Sequence, residues 1–313
     1  MHDADEPATP TGGGGLVRVR LDIAYDGTDF SGWAVQSEQR TVQGVLQDAL
    51  AQIARQPIAL TVAGRTDAGV HAAAQVAHAD VGIAAWSALG ASLVHRLAGV
   101  LPPDVRVKSI SQAPDAFDAR FSALWRRYEY RISDAEAGAN PLRRRQVLAL
   151  RRTVDVAAMS RAAKALRGEH DFAAFCRYRE GATSIRAVQS FEVTREAGEI
   201  VCTVQADAFC HSMVRSLVGA LIAVGEGRRP DDWPASLLAH TVRADDVSVA
   251  PALGLTLVAV GYPPDEELAA RSEQTRRRRI APGFGRADRT ERSARPKPAP
   301  YSVANAGDAA TTG

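Results

Sequence analysis

The chain has 313 residues, 46% of them hydrophobic, which is enough to bury the core of one large domain or of two medium ones. Its net charge of +2 is unevenly placed: residues 271–313 carry +6, from ten basic and four acidic side chains, and residues 1–270 carry −4. RNA binding through overall charge is therefore excluded, and it would need a local basic cleft. No apolar run reaches the roughly 18 residues of a membrane span, no signal-peptide pattern is present, and three cysteines without a Cys-x-x-Cys spacing favour reduced thiols, so we expect a cytoplasmic protein without membrane contact.

The first part of the chain predicts alternating strands and helices. Residues 1–15 are acidic and then rich in Pro, Gly and Thr, which predicts a disordered leader. Threonine is a residue type that caps helices, and apolar residues recur at helical spacing after Thr41. In chain order the predicted elements are a strand over 17–23, a helix from Thr41 to about Arg55, a strand over 58–62, a helix over 86–97 and a strand over 105–110.

The second part predicts a similar set of elements. In chain order these are a strand over 128–132, a helix over 154–166, a hairpin of 190–194 and 200–206 across Gly198, a helix over 209–224 and a closing strand over 256–260. Strand–helix–strand units with paired strands indicate an α+β fold of two halves, 16–113 and 114–264. The remaining residues, 265–313, are rich in Arg, Pro and Ala and predict a disordered basic tail.

Segment 63–71 is the most informative part of the sequence. It places Arg65 and Asp67 between Gly64 and Gly69, with an apolar stretch on either side, which predicts a strand, a tight polar loop and a return into the core. An aspartate beside glycine often does no more than bind its own loop backbone. Beside an arginine it can also stay ionised and act as a nucleophile or base, and the residues alone leave both interpretations open.

Together with other segments in the same order, 63–71 resembles the tRNA pseudouridine synthase A family over roughly residues 18–262. The other matching segments are 21–33, 121–130, 168–172, 208–219 and 254–260. Several motifs in the right order are a specific signal, unlike a lone glycine pattern. The resemblance implies two ferredoxin-like halves whose strands join into one extended, mixed, mainly antiparallel sheet, with a central active-site cleft between them.

The same resemblance implies an activity. Members of the family are isomerases that convert uridine to pseudouridine at positions 38–40 (tRNA numbering) of the anticodon stem-loop, and they work as homodimers. The N-glycosidic bond is broken, the uracil turns, and C5 is joined to C1′. Because no redox step or external group takes part, we expect tRNA and a second copy of the chain as partners and no small-molecule cofactor.

The resemblance also assigns four candidate site residues. Asp67 matches the family's nucleophile, and Arg65 matches the loop arginine that extrudes the target base or holds its phosphate. Arg215 matches the partner of the nucleophile, and an arginine in so apolar a helix needs an anionic partner in any case. Tyr128 matches the residue that lies against the target base, although Tyr130 points to the same side of the strand.

Two other functions stay open on the residues alone. An RNA-binding module would bind tRNA and leave it unchanged, whereas an N-glycoside hydrolase acting through Asp67 would release free uracil. No metal site is expected, because His71, His78, His211 and Cys210 lack the close spacing of metal ligands.

Overall fold

The computed structural model of the protein describes residues 15–179 and 182–280. Its strands are β1 (Leu16–Tyr25), β2 (Thr61–Val62), β3 (His71–Gly82), β4 (Val105–Gln112), β5 (Trp125–Ser133), β6 (Leu148–Ala149), β7 (Gly168–Asp171), β8 (Ile185–Glu196), β9 (Glu199–Ala206) and β10 (Leu255–Gly261). Its helices are α1 (Val42–Ala54), α2 (Ile83–Leu89), α3 (Leu93–Val100), α4 (Val156–Ala165), α5 (Met213–Gly225), α6 (Trp233–Ser236) and α7 (Leu268–Ile280).

The strands form a single ten-stranded sheet within the described residues. Eight of them lie in the order β4-β1-β3-β10-β5-β9-β8-β7, while β2 pairs with β3 and β6 pairs with β5. The β3–β10 and β5–β6 pairs are parallel, and the other pairs in this described sheet are antiparallel. The predicted α+β fold with an extended, mixed, mainly antiparallel sheet is therefore confirmed.

Strands from the early and late parts of the chain meet in the middle of this sheet. Strand β10 pairs in parallel with β3, through Thr256 beside His71 and Leu257 beside Ala72, and it pairs antiparallel with β5 on its other side. Strand β3 begins at the end of segment 63–71, so that loop lies where the early and late strands join. The boundaries of the two halves, 16–113 and 114–264, remain a prediction.

Local sequence signals account for the first strand, the first helix and the late hairpin. The inward side chains of β1, such as Leu21 and Ile23, are almost fully buried, as the alternation predicts. Helix α1 begins after Thr41, whose Oγ1 accepts the backbone N–H of Gly44 at 3.3 Å. The predicted hairpin is β8–β9, and it turns through Ala197–Gly198 with φ values of +47° and +85°, a backbone conformation that favours glycine.

The predicted helix over 86–97 is two helices in the structure, because a 3₁₀ turn at Gly90–Ser92 separates α2 from α3. Within residues 15–179 and 182–280, no single helix is long and apolar enough to cross a membrane. Taken together, α2 and α3 are long and apolar enough for a membrane span by length and composition only, and they are bent by 83° at that turn.

The prediction of a disordered tail from residue 265 is wrong over residues 265–280. A 3₁₀ turn at Asp265–Glu267 leads into α7, whose first residue, Leu268, is 1% exposed. Leu268 packs into a small apolar cluster with Phe117 and Ala119, and Arg276 Nη2 lies 2.8 Å from Asp118 Oδ2. Sequence periodicity does not reveal this helix, because one buried leucine and one ion pair dock an otherwise polar segment. Residues 1–14 and 281–313, which the leader and tail predictions also cover, lie outside the described residues.

We predict that Leu268→Ala lowers the free energy of unfolding by about 2–3 kcal/mol, because deleting a buried leucine side chain costs about 2–5 kcal/mol. Denaturant unfolding measures the change, and Leu142→Ala is the control because Leu142 is 92% exposed. Equal stabilities of the two variants would show that α7 does not pack against the sheet.

Candidate active site

The loop that carries Asp67 is a tight turn between β2 and β3. The backbone N–H of Val70 donates to the carbonyl oxygen of Asp67 at 3.2 Å, and Gly69 takes a φ of +77°. Ala63, at the start of the loop, donates its N–H to the carbonyl oxygen of Val76 at 2.8 Å. The turn therefore places the Asp67 side chain on a short, fixed loop between two strands.

Segment 27–33 lies against this turn and fixes its backbone. Trp33 donates its N–H to the carbonyl oxygen of Thr66 at 3.0 Å, and Phe30 accepts the N–H of Gly69 at 3.3 Å. A Cβ atom on Gly27 would lie 2.0 Å from the carbonyl oxygen of Val70, which no side chain tolerates. Two motifs that are far apart in the sequence are thus one packed unit in the structure.

Buried side chains hold the same loop from below. The hydroxyl of Tyr25 shares a hydrogen bond of 2.8 Å with Thr66 Oγ1 and accepts one of 3.2 Å from Gln75 Nε2. Gln75 Nε2 also donates to the carbonyl oxygen of Gly64 at 2.8 Å. Burial raises the pKa of Tyr25 to about 12, so its hydroxyl stays neutral and serves as a fixed hydrogen-bonding group.

Arg126 of β5 connects the Asp67 loop to the late part of the chain. The sequence analysis did not predict a role for this residue. Its side chain is 5% exposed, and burial lowers the pKa of this guanidinium from its ordinary value. Its Nε and Nη2 donate to the carbonyl oxygen of Ala63, at 3.2 and 2.7 Å. Nη2 also donates to the carbonyl oxygen of Arg120 at 2.7 Å, and Nη1 donates to that of Asp207 at 2.8 Å. Arginine runs are usually solvated, so nothing in the sequence singles out this one as the loop's buried anchor.

The carboxylate of Asp67 is held by three side chains that immediately precede or begin α5. Ser212 Oγ donates to Oδ2 at 3.3 Å, and His211 Nε2 lies 3.2 Å from Oδ1. Arg215 Nη1 lies 3.6 Å from Oδ2, while its Nε donates to the carbonyl oxygen of Ala250 at 2.7 Å. The structure thus brings Asp67 and Arg215 together, as the resemblance implies, and adds His211 and Ser212 to them.

These contacts depend on the point where α5 begins. The helix starts at Met213, four residues later than predicted, because Ser212 takes a φ of +63° that a right-handed helix cannot continue. His211 and Ser212 therefore lie in the loop before the helix and turn towards Asp67. The carboxylate also lies near the N-terminal end of α5, whose dipole favours a negative charge.

Asp67 faces an open cavity of about 590 Å³. Its side chain is 25% exposed, so the carboxylate is held by its neighbours and still reaches the cavity. The residues that line the cavity are Asp67, Ala68, Arg177, His211, Ser212, Arg215 and Arg243. A bound molecule could therefore reach the carboxylate past three arginines.

Tyr128 lies in β5, between Leu257 of β10 and Val204 of β9. Its ring meets the ring of Phe209 edge to face, with the centroids 5.1 Å apart. Burial raises the pKa of Tyr128 above its ordinary value, and the negative charge of Asp67 raises it further. Among the described residues the Tyr128 hydroxyl has no hydrogen-bond partner, whereas the hydroxyl of Tyr130 donates to Pro251. Tyr128 and Tyr130, which point to the same side of the strand, thus differ in whether the hydroxyl is already hydrogen-bonded.

Arg65 is two residues before Asp67 and points outward. Its side chain is exposed, and it makes no hydrogen bond or ion pair with the residues that the structure describes. It is not among the residues that line the cavity. An exposed arginine at the rim of the site can contact a large ligand that extends beyond the cavity.

Two of the histidines discounted as metal ligands hold the backbone. His71 Nδ1 accepts the N–H of Gly27 at 3.0 Å, and its Nε2 lies 3.0 Å from the carbonyl oxygen of Leu253. His78 Nδ1 accepts the N–H of Ala119 at 3.0 Å. Both rings are nearly fully buried and join separate segments of the chain.

The prediction of reduced thiols stays a prediction. Cys176 and Cys210 lie side by side, with their Cα atoms 5.7 Å apart, whereas Cys202 is buried. The pair is separated by 34 residues, and no motif in the sequence connects them. The fold brings the two loops together, which the count and spacing of cysteines do not reveal.

Known proteins are similar to this chain over most of its length. Residues 23–122 and 162–263 match the family model described as tRNA pseudouridine synthase. The chain belongs to this family. Arg65, Asp67 and Arg215 lie inside the matched ranges, and Tyr128 lies between them.

Curated relatives named tRNA pseudouridine synthase A are similar over most of the chain. The protein of Frankia casuarinae is 61% identical over 270 residues, which are 86% of this chain and 97% of that protein. The protein of Streptomyces griseus is 53% identical over 289 residues, 91% of this chain and 99% of that protein. The protein of Mycobacterium leprae is 52% identical over 271 residues, 83% of this chain and 94% of that protein.

We predict that Arg126→Met loosens the Asp67 loop, because a buried carbonyl left without a donor costs about 1–3 kcal/mol. Unfolding in denaturant should show a loss of that size, and hydrogen exchange of the loop amides 64–70 should become faster. Arg127→Met is the matched control, since Arg127 is exposed and bonds only to Gln205 among the described hydrogen-bond acceptors. If both variants retain wild-type exchange in the loop, Arg126 does not anchor it.

Proposed function

We propose that this protein isomerises uridine to pseudouridine at positions 38–40 (tRNA numbering) of the tRNA anticodon stem-loop, with Asp67 as the nucleophile. The single observation that carries the proposal is the Asp67 carboxylate, held by Ser212, His211 and Arg215 while one side of it faces an open cavity. Family membership supplies the reaction class, and the positions in tRNA rest on the resemblance alone.

The geometry suits attack on a sugar carbon. His211, Ser212 and Arg215 contact both carboxylate oxygens and fix their orientation, which is the main requirement for an efficient nucleophile. In the reaction, Asp67 attacks C1′ and the N1–C1′ bond breaks. The uracil then turns, C5 bonds to C1′ as the ester bond between Asp67 and C1′ breaks and frees the carboxylate, and the proton on C5 is lost while N1 gains one. A route in which the same carboxylate removes a sugar proton would use the same held position.

Tyr128 is the proposed platform for the target base. An enzyme that reacts at the glycosidic bond must take its nucleotide out of the stack, and an aromatic face offsets part of the cost. The Tyr128 ring packs edge to face against Phe209, and its hydroxyl, which has no hydrogen-bond partner among the described residues, can assist removal of the C5 proton. Arg65, exposed beside the cavity, would extrude the base or hold its phosphate.

The remaining parts of the proposal follow from the reaction and the resemblance. An isomerisation needs no cofactor, because every atom of the product comes from the substrate. We propose a cytoplasmic homodimer in which one tRNA contacts both subunits.

Asp67→Asn should abolish pseudouridine formation and leave tRNA affinity nearly unchanged, because the amide has almost the same size and is not a nucleophile. The measurement is nucleoside chromatography of an in vitro transcribed tRNA after incubation, with affinity followed by fluorescence anisotropy. Asp48→Asn is the control, since Asp48 is exposed on α1.

The same assay separates the alternative functions. An RNA-binding module would bind tRNA and leave every uridine unchanged, and an N-glycoside hydrolase would release uracil. Pseudouridine formed by Asp67→Asn at a rate near that of wild type would refute the role given to Asp67.

A pair of substitutions at Tyr128 separates stacking from proton transfer. Tyr128→Phe keeps the ring and loses the hydroxyl, so turnover should fall by about 10²–10⁴-fold with little change in affinity, the usual range for loss of general acid–base help. Tyr128→Leu loses both, so turnover should fall at least as far and tRNA affinity should weaken as well. Wild-type turnover in both variants would make Tyr128 a purely structural residue.

A further inference from the structure

The cavity beside Asp67 holds more positive than negative charge. Three of its lining residues are arginines (Arg177, Arg215 and Arg243), and Asp67 is the one carboxylate among the lining residues. Guanidinium groups stay protonated at physiological pH, so one negative charge cannot balance three. An additional anion is therefore favoured in this cavity.

Two of these arginines have no side-chain partner among the described residues. Arg215 already binds Asp67 and the carbonyl oxygen of Ala250. The side chains of Arg177 and Arg243 make no hydrogen bond or ion pair with any residue in 15–179 or 182–280. Burial lowers the pKa of Arg243, and the positive charges of Arg177 and Arg215 lower it further, while the negative charge of Asp245 opposes them in part. The three groups are thus close enough to repel one another.

The backbone holds both arginines in place. The N–H of Arg177 donates to the carbonyl oxygen of His211 at 3.1 Å, directly beside the residues that contact Asp67. The N–H of Ala244, next to Arg243, donates to the carbonyl oxygen of Ala174 at 3.0 Å, and Ala244 is buried. The backbones at both arginines are therefore fixed beside segment 174–177, so that the two side chains start from neighbouring, defined positions at the cavity.

We propose that Arg177 and Arg243 bind one backbone phosphate of the RNA next to the target uridine, while Arg215 serves Asp67. The inference rests on the proposed function, because that function places a nucleotide beside Asp67 and RNA carries one phosphodiester on each side of it. The planar, forked guanidinium matches phosphate oxygens well, and two such groups share one phosphate readily. The pair is a substrate-binding element that fixes the ribose against the carboxylate.

The test uses the full chain and an anticodon stem-loop RNA with a uridine target. Arg177→Gln and Arg243→Gln should each raise KM about tenfold or more and change kcat less than about threefold, because a hydrogen bond to a charged group contributes at least one decade of affinity. Arg96→Gln is the matched control, since Arg96 is an exposed arginine on α3 and does not line the cavity. Melting temperatures of all variants show whether each is folded.

A second arm identifies the phosphate. Two RNAs each carry one neutral methylphosphonate, on the 5′ or the 3′ side of the target uridine. One of them should raise the wild-type KM to the level of the arginine variants and have no further effect in the Arg177→Gln, Arg243→Gln double variant. The other should lower affinity similarly in wild type and double variant.

The proposal is overturned if Arg177→Gln and Arg243→Gln match the Arg96→Gln control, or if both neutral linkages act equally in wild type and double variant. Failure of the proposed function looks different, since wild type would then form no pseudouridine in any of these RNAs. In that case the anisotropy of the labelled RNAs still reports whether the two arginines bind the phosphate.

Discussion

The structure depends on one constraint, which is that a carboxylate on an early loop is held by side chains from a late loop and helix. Asp67 precedes β3, whereas His211, Ser212 and Arg215 surround the start of α5, almost 150 residues later in the chain. Neither segment can form the site alone. The parallel pairing of β3 with β10 in the middle of the sheet, and the guanidinium of Arg126 beneath the loop, bring the two segments together.

This arrangement explains why so much of the structure around the loop is rigid. Substitution of Gly27 by any other residue would place a Cβ inside the backbone of Val70, and Tyr25, Thr66 and Gln75 form a buried chain of hydrogen bonds. The nucleophilic role proposed for Asp67 would gain rate from such fixation, since small misplacements of a group that must meet one carbon atom are costly. The exposed face of the site is by contrast basic and open, as suits a large polyanion.

The sequence predicted the parts of the site that come from recognisable motifs and missed the parts that the fold creates. Asp67 and Arg215 were predictable because each belongs to a distinctive segment, and the alternation of β1 and the cap at Thr41 are local signals. Arg126 was not, because a buried arginine bound to carbonyl groups looks like any solvated arginine in sequence. Helix α7 was missed because one buried leucine gives no periodicity, and Cys176 and Cys210 are neighbours only because two loops approach each other.

The most direct test of the contact between Asp67 and Arg215 is a double-mutant cycle. It measures the free energy of unfolding of Asp67→Asn, Arg215→Gln and the double variant. Arg215→Gln also removes the hydrogen bond to Ala250, but that loss occurs in both backgrounds and cancels. If Asp67 and Arg215 hold each other, the cycle gives a favourable coupling on the order of 1 kcal/mol. Effects that add to within about 0.3 kcal/mol would contradict the pairing on which the site is built.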